Sequence, residues 1–119
     1  MNIEEIRDYL LNKTATTEST PFDNVTLVYK VKNKMYALMS TTGELKITLK
    51  CDPEEAIELR EKYHFVKAGF HMNKKLWNTI EIIEPITNKQ ITKWIDDSYK
   101  LVVKGLTKKL QAELQDEIK

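Results

Sequence analysis

Residues 25–55 read VTLVYKVKNKMYALMSTTGELKITLKCDPEE, and the fold turns on this stretch. Val25, Leu27, Tyr29 and Val31 alternate with Thr26, Val28 and Lys30, the pattern of a half-buried strand. Lys32-Asn33-Lys34 supplies a turn, because Asn tolerates positive φ better than most residues. Residues 35–40 return as a second strand, Thr41-Thr42-Gly43-Glu44 turns again, and Leu45, Ile47 and Leu49 alternate with Lys46, Thr48 and Lys50. Three strands joined by short turns make an antiparallel meander. Cys51-Asp52-Pro53-Glu54-Glu55 then starts a helix, with Asp52 as cap, Pro53 in the first helical position and acids opposing the helix dipole.

Working outward, Ile3, Ile6 and Leu10 share one helical face, and Asn2 stands three residues ahead of Glu5 as a reciprocal cap. The run KTATTESTPFDN has neither period and reads as a loop. After the helix that runs from Pro53 to about Tyr63, short strands are expected at residues 65–68 and about 77–83. Beyond Pro85, Ile91, Trp94, Ile95 and Val102 form the stripe of a long helix that Gly105 interrupts. Leu110, Leu114 and Ile118 give residues 107–119 a narrow stripe, expected to fray because isolated helices of about a dozen residues are marginal in water. The expectation is an α+β domain spanning residues 1–119, a single antiparallel sheet with helices on one face, in the order α-β(3)-α-β(2)-α.

At 119 residues the chain is long enough for one real core. Its net charge of +1 argues neither for nor against a polyanionic partner. The distribution is more informative: residues 62–80 hold Lys62, Lys67, Lys74 and Lys75 and no acid. One cysteine excludes an internal disulfide and fits a reducing compartment, and the N-terminus NIEEIRDYL has no apolar signal region. No stretch approaches a membrane span, so a cytoplasmic protein is expected.

Enzyme chemistry finds little foothold. Cys51 precedes a helix, where the dipole favours a thiolate, but Asp52 next door opposes it and no histidine is near in sequence. His64 and His71 lack the cysteine pair or close acid that would complete a metal site. Asp96 and Asp97 are helical neighbours pointing about 100° apart, so at most one faces any site. No phosphate loop or nucleophile elbow appears. The expectation is a protein without catalytic residues, metal or cofactor.

Binding has a better basis. If Leu27, Tyr29, Leu45, Ile47, Leu49, Ile80 and Ile82 face the helices, alternation sends Thr26, Lys30, Lys46, Lys50, Trp77 and Thr79 to the other face. Lysines for phosphate and a flat ring for stacking are what sequence-tolerant nucleic-acid binding uses. Lysines on an outer sheet face are also ordinary solvation. Residues 69–80, GFHMNKKLWNTI, concentrate polar and aromatic chemistry. One reading makes them a shaped turn, with Gly69 permitting the turn, His71 and Asn73 bonding the loop backbone and Trp77 anchoring a strand. The other lets Lys74 and Lys75 meet phosphate, Asn73 and Asn78 reach phosphate or base edges, and Trp77 stack. A mixed account is preferred: Gly69, His71 and Asn78 mainly shape the loop, and Lys74 and Lys75 stay free for a ligand.

Pro21-Phe22, NKMYALMS, LKCDPEEAIELREKY, GFHMNKKLWNTI and DDSYKLVV together resemble the MmcQ/YjbR family of small bacterial proteins. The resemblance covers most of residues 21–106 and implies a frataxin-like or secretion-chaperone-like sheet, a cytoplasmic location, no known catalytic site and a DNA-binding role. By position its motif falls on Gly69, His71, Asn73, Lys74, Trp77, Asn78 and Thr79. Leu76 stands where relatives often have histidine, which weakens any mechanism needing two histidines in this loop; Thr107 replaces a common proline. The combined expectation is a monomeric, non-enzymatic DNA-binding protein using Lys30, Lys46, Lys50, His71, Asn73, Lys74, Lys75, Trp77 and Asn78. The alternative is a protein or peptide interaction module, since open sheets of this kind pair with other chains.

Overall fold

Four polar side chains start the four helices of the computed structural model, which describes residues 1–69 and 72–118. Asn2 and Glu5 form a reciprocal capping box on α1 (Ile3–Leu11). Asp52 accepts from the Glu54 and Glu55 amides at the start of α2 (Pro53–Lys62). Thr87 caps α3 (Asn88–Lys104) and Thr107 caps α4 (Lys108–Glu117). A threonine at 107 therefore satisfies a helix amide. Leu114 of α4 is buried in the core, and Lys32 reaches Glu117 of α4 at 3.0 Å.

Six strands, β1 (Thr16–Ser19), β2 (Thr26–Val31), β3 (Lys34–Ser40), β4 (Lys46–Lys50), β5 (Val66–Ala68) and β6 (Trp77–Glu81), form one antiparallel sheet in the order β1-β2-β3-β4-β6-β5. The α+β architecture matches the expected element order, with β1 and α4 as separate additions. β1 corrects the loop expected over KTATTESTPFDN. Nothing apolar marks this strand. Backbone pairing to β2 holds it, with Glu18 taking a bidentate bond from Arg7 at 2.8 and 2.9 Å and another from the Tyr29 hydroxyl at 2.7 Å. The Arg7 guanidinium holds the Glu18 carboxyl below the usual carboxylate range.

Register assigns the faces. Leu27, Met39, Ile47, Ile80 and Val66 lie in one row across five strands and turn towards the helices, where Met39 and Ile47 are fully buried. Val28, Leu38, Thr48, Thr79 and Lys67 make the neighbouring row on the opposite face. The β2–β3 turn places Lys32 and Asn33 at φ 48° and 68°, the double positive-φ geometry that matches the twist of a two-residue hairpin.

A bulge sets the seat of α3. Tyr29 pairs with Ala37 but Lys30 with Met35, leaving Tyr36 as an extra residue. Fully buried Ser98 of α3 donates to the Tyr36 carbonyl at 2.6 Å and accepts from the Lys50 amide at 2.8 Å. One hydroxyl thus ties a helix to two strands. The Tyr36 hydroxyl donates to the Leu10 carbonyl at 3.1 Å, and its ring meets Tyr99 edge-on at 5.2 Å. These bonds close the helical side of the sheet and leave the other side to the loops.

Candidate functional site

The outer face is a walled groove of about 670 Å³. Its floor is the row Leu38, Thr48, Thr79 and Lys67, extended by Thr26, Ser40, Lys46 and Glu81. One wall comes from the loop ahead of β2, through Phe22 and Asp23, and the other from the segment after β5, through Met72. Asp23 builds its wall by accepting from the Val25 amide at 2.8 Å, the Thr26 amide at 2.7 Å and the Thr26 hydroxyl at 3.2 Å. The Val25 amide, then that of Thr26, lowers its pKa. Phe22, just before it, is 65% exposed, the largest value among the exposed large hydrophobic residues described.

Floor polarity is largely satisfied internally. The Thr48 and Thr79 hydroxyls bond each other at 2.8 Å, and Lys46 stands 3.9 Å from Glu81. Lys30, Lys50, Lys67, Lys74 and Lys75 have no ion-pair partner among the described residues. Alternation puts Lys30 and Lys50 on the groove side of the sheet, as expected.

The second wall is tied down from beneath. Asn73 Oδ1 accepts the Lys75 amide at 2.9 Å, and the Asn73 carbonyl accepts the Leu76 and Trp77 amides at 3.0 Å each. Arg60 of α2 donates to the Lys74 carbonyl and to Asn78 Oδ1, both at 2.9 Å, while Asn78 Nδ2 donates to the Ala56 carbonyl at 3.2 Å. Lys74 and Lys75 remain exposed on this turn.

Three expectations need correction. Trp77 is 7% exposed, so its ring has no face for a stacked base. Asn78 is 3% exposed on the α2 side with both ends of its amide engaged, so it reads no base edge. Gly69 serves close approach: a Cβ there would lie 2.7 Å from Trp77 Cβ. His71 lies outside the described residues. Phe22, Leu38, Lys67 and Met72 were missed as groove residues. Lys67 was legible from alternation beside Val66, and Phe22 as a lone aromatic in a polar loop; Leu38 and Met72 carried no comparable signal.

Cys51 offers no reactive thiolate. Burial, reinforced by Glu55, Asp52 and Asp97, pushes its thiol up to about 12. Among the described residues no helix is long and apolar enough to cross a membrane.

These features define an α+β protein with helices on one side of an antiparallel sheet and a groove on the other. The chain belongs to the YjbR family, whose sequence model matches residues 11–101. It is 35% identical over 96 residues to the uncharacterized protein YbdF of Escherichia coli O157:H7, covering 80% of this chain and 79% of that one. The uncharacterized protein YjbR of Escherichia coli K12 is 28% identical over 104 residues, covering 87% and 88%. Among solved structures, Deinococcus radiodurans protein DR2400, of domain DUF419, superposes with a TM-score of 0.89 at 35% identity, covering 96% of this chain and 88% of that one. A Pseudomonas syringae protein gives 0.73 at 28% identity, covering 85% and 98%.

Proposed function

We propose that this chain is a monomeric, non-enzymatic, cytoplasmic DNA-binding protein whose contact surface is the groove face of the sheet and its second wall. The observation that carries the reading is the set of lysines, Lys30, Lys50, Lys67, Lys74 and Lys75, presented from β2, β4, β5 and the turn before β6 without ion-pair partners among the described residues. Phosphate neutralisation by such side chains releases counterions, a sequence-independent source of affinity. The protonated Cys51 thiol is in keeping with a non-catalytic role. The test is charge reversal: Lys50→Glu with Lys67→Glu should abolish binding to a labelled oligonucleotide at low salt, while urea melts stay close to those of the parent. Unchanged affinity in the double variant would refute the surface.

The apolar side chains of Phe22, Leu38 and Met72 favour a second reading, in which the groove holds a peptide. Peptide binding carried by those side chains would respond weakly to salt.

A further inference from the structure

We infer, resting on the DNA reading above, that the groove accepts unstacked bases and that the protein therefore selects single-stranded over duplex DNA, with Phe22 as the stacking residue. The charge layout separates two tasks. On the floor Lys46 faces Glu81, the Thr48 and Thr79 hydroxyls satisfy each other, and Asp23 adds a negative charge at the wall. A phosphate lying there would meet Asp23 and Glu81 as well as Lys46 and Lys67, a lining with no net charge to hold it. The unpaired lysines Lys30, Lys50, Lys74 and Lys75 do not line the groove, whereas Lys67 does. Most of the unpaired positive charge thus lies outside the groove, with Lys67 at its floor, so the phosphates are held mainly along Lys30, Lys50, Lys74 and Lys75 and most of the groove is left for the uncharged part of each nucleotide.

Shape points the same way. The groove crosses five strands, roughly 19 Å at a spacing of about 4.8 Å, so successive residues of one strand fit along it. A duplex keeps its bases stacked and shows only their edges, which gives Phe22, Leu38 and Met72 nothing flat to pack against. An unpaired strand offers base faces, and base–aromatic stacking is tolerant of sequence. Among the described residues of the two walls, Phe22, 65% exposed, is the ring available for it, since Trp77 is buried.

The experiment measures binding, at one low salt concentration, of a labelled fifteen-residue oligo(dT), an abasic strand of equal length and a duplex, using the full chain, Phe22→Ala and Phe22→Trp. Oligo(dT) should bind at least about tenfold more tightly than the abasic strand, within the range that stacking of one base provides. Phe22→Ala should remove most of that difference without changing abasic binding, and Phe22→Trp should keep it. Equal affinity for oligo(dT) and the abasic strand, duplex binding as tight as or tighter than that of oligo(dT), or a Phe22→Ala loss shared by both strands would overturn the base-accepting groove while leaving DNA binding intact. Absence of binding to all three would overturn the DNA reading as well.

Discussion

The two walls of the groove are built in opposite ways. The wall at residues 20–25 is held by Asp23 and by Thr41, whose hydroxyl donates to the Val25 carbonyl at 2.7 Å, and it leaves Phe22 in solvent. The wall at residues 72–78 is held by Arg60, Asn73 and Asn78 and buries its ring, Trp77. The segment with the denser polar and aromatic chemistry is thus the architectural one. The plainer PFD segment carries the free aromatic. A cluster of unusual residues therefore signals a demanding local structure at least as readily as a ligand.

The sharpest way to break this comparison is to delete both rings. Trp77→Ala should destabilise the protein by about 3–5 kcal/mol, whereas Phe22→Ala should stay within about 0.5 kcal/mol, as exposed substitutions usually do. Urea midpoints at constant slope decide it, and equal losses would show that Phe22 is also a structural anchor. Asn78→Ala comes next. It strips the Ala56 carbonyl and the Arg60 guanidinium of a partner, an expected cost of about 1–3 kcal/mol.

Acid should weaken one wall and spare the other. Asp23 and Glu18 both have depressed pKa values, from the Val25 amide and the Arg7 guanidinium respectively, so the folded chain keeps them ionised at pH values where the unfolded chain takes up protons. Their contribution is complete above the ordinary carboxylate value, about 4, and is lost as pH falls through the lower folded values. Melting midpoints should therefore drop below about pH 4, and Asp23→Asn should reduce the drop. Residues 72–78 contain no carboxylate, so their wall gives no such response. The smallest stability effect belongs to Lys74→Ala with Lys75→Ala, expected within about 0.5 kcal/mol. The same pair should nonetheless lower the salt slope of DNA binding by one to two.

Much of the fold was legible because its signals are local. The Asn2–Glu5 capping box, the Asp52-Pro53 start and the alternation through β2, β3 and β4 each lie within a few residues of chain. β1 was not legible, because its partners Arg7 and Tyr29 lie in other elements and its own side chains bury little. The site divides the same way. Alternation placed Lys30, Lys46 and Lys50 correctly on the groove face, but it could not tell that Trp77 is buried there or that Lys46 faces Glu81, since both depend on which segments lie over and beside β6. Asn78 was placed with the loop, yet its partners Ala56 and Arg60 come from α2, 22 and 18 residues away in sequence.

Salt dependence tests the central claim, that the groove face binds DNA through its unpaired lysines, most directly. With four or five phosphates neutralised, the logarithm of affinity for oligo(dT) should fall against the logarithm of salt with a slope of about −3, from roughly −0.7 per contact. Binding that is flat across the salt range, or absent at its low end, would contradict the account.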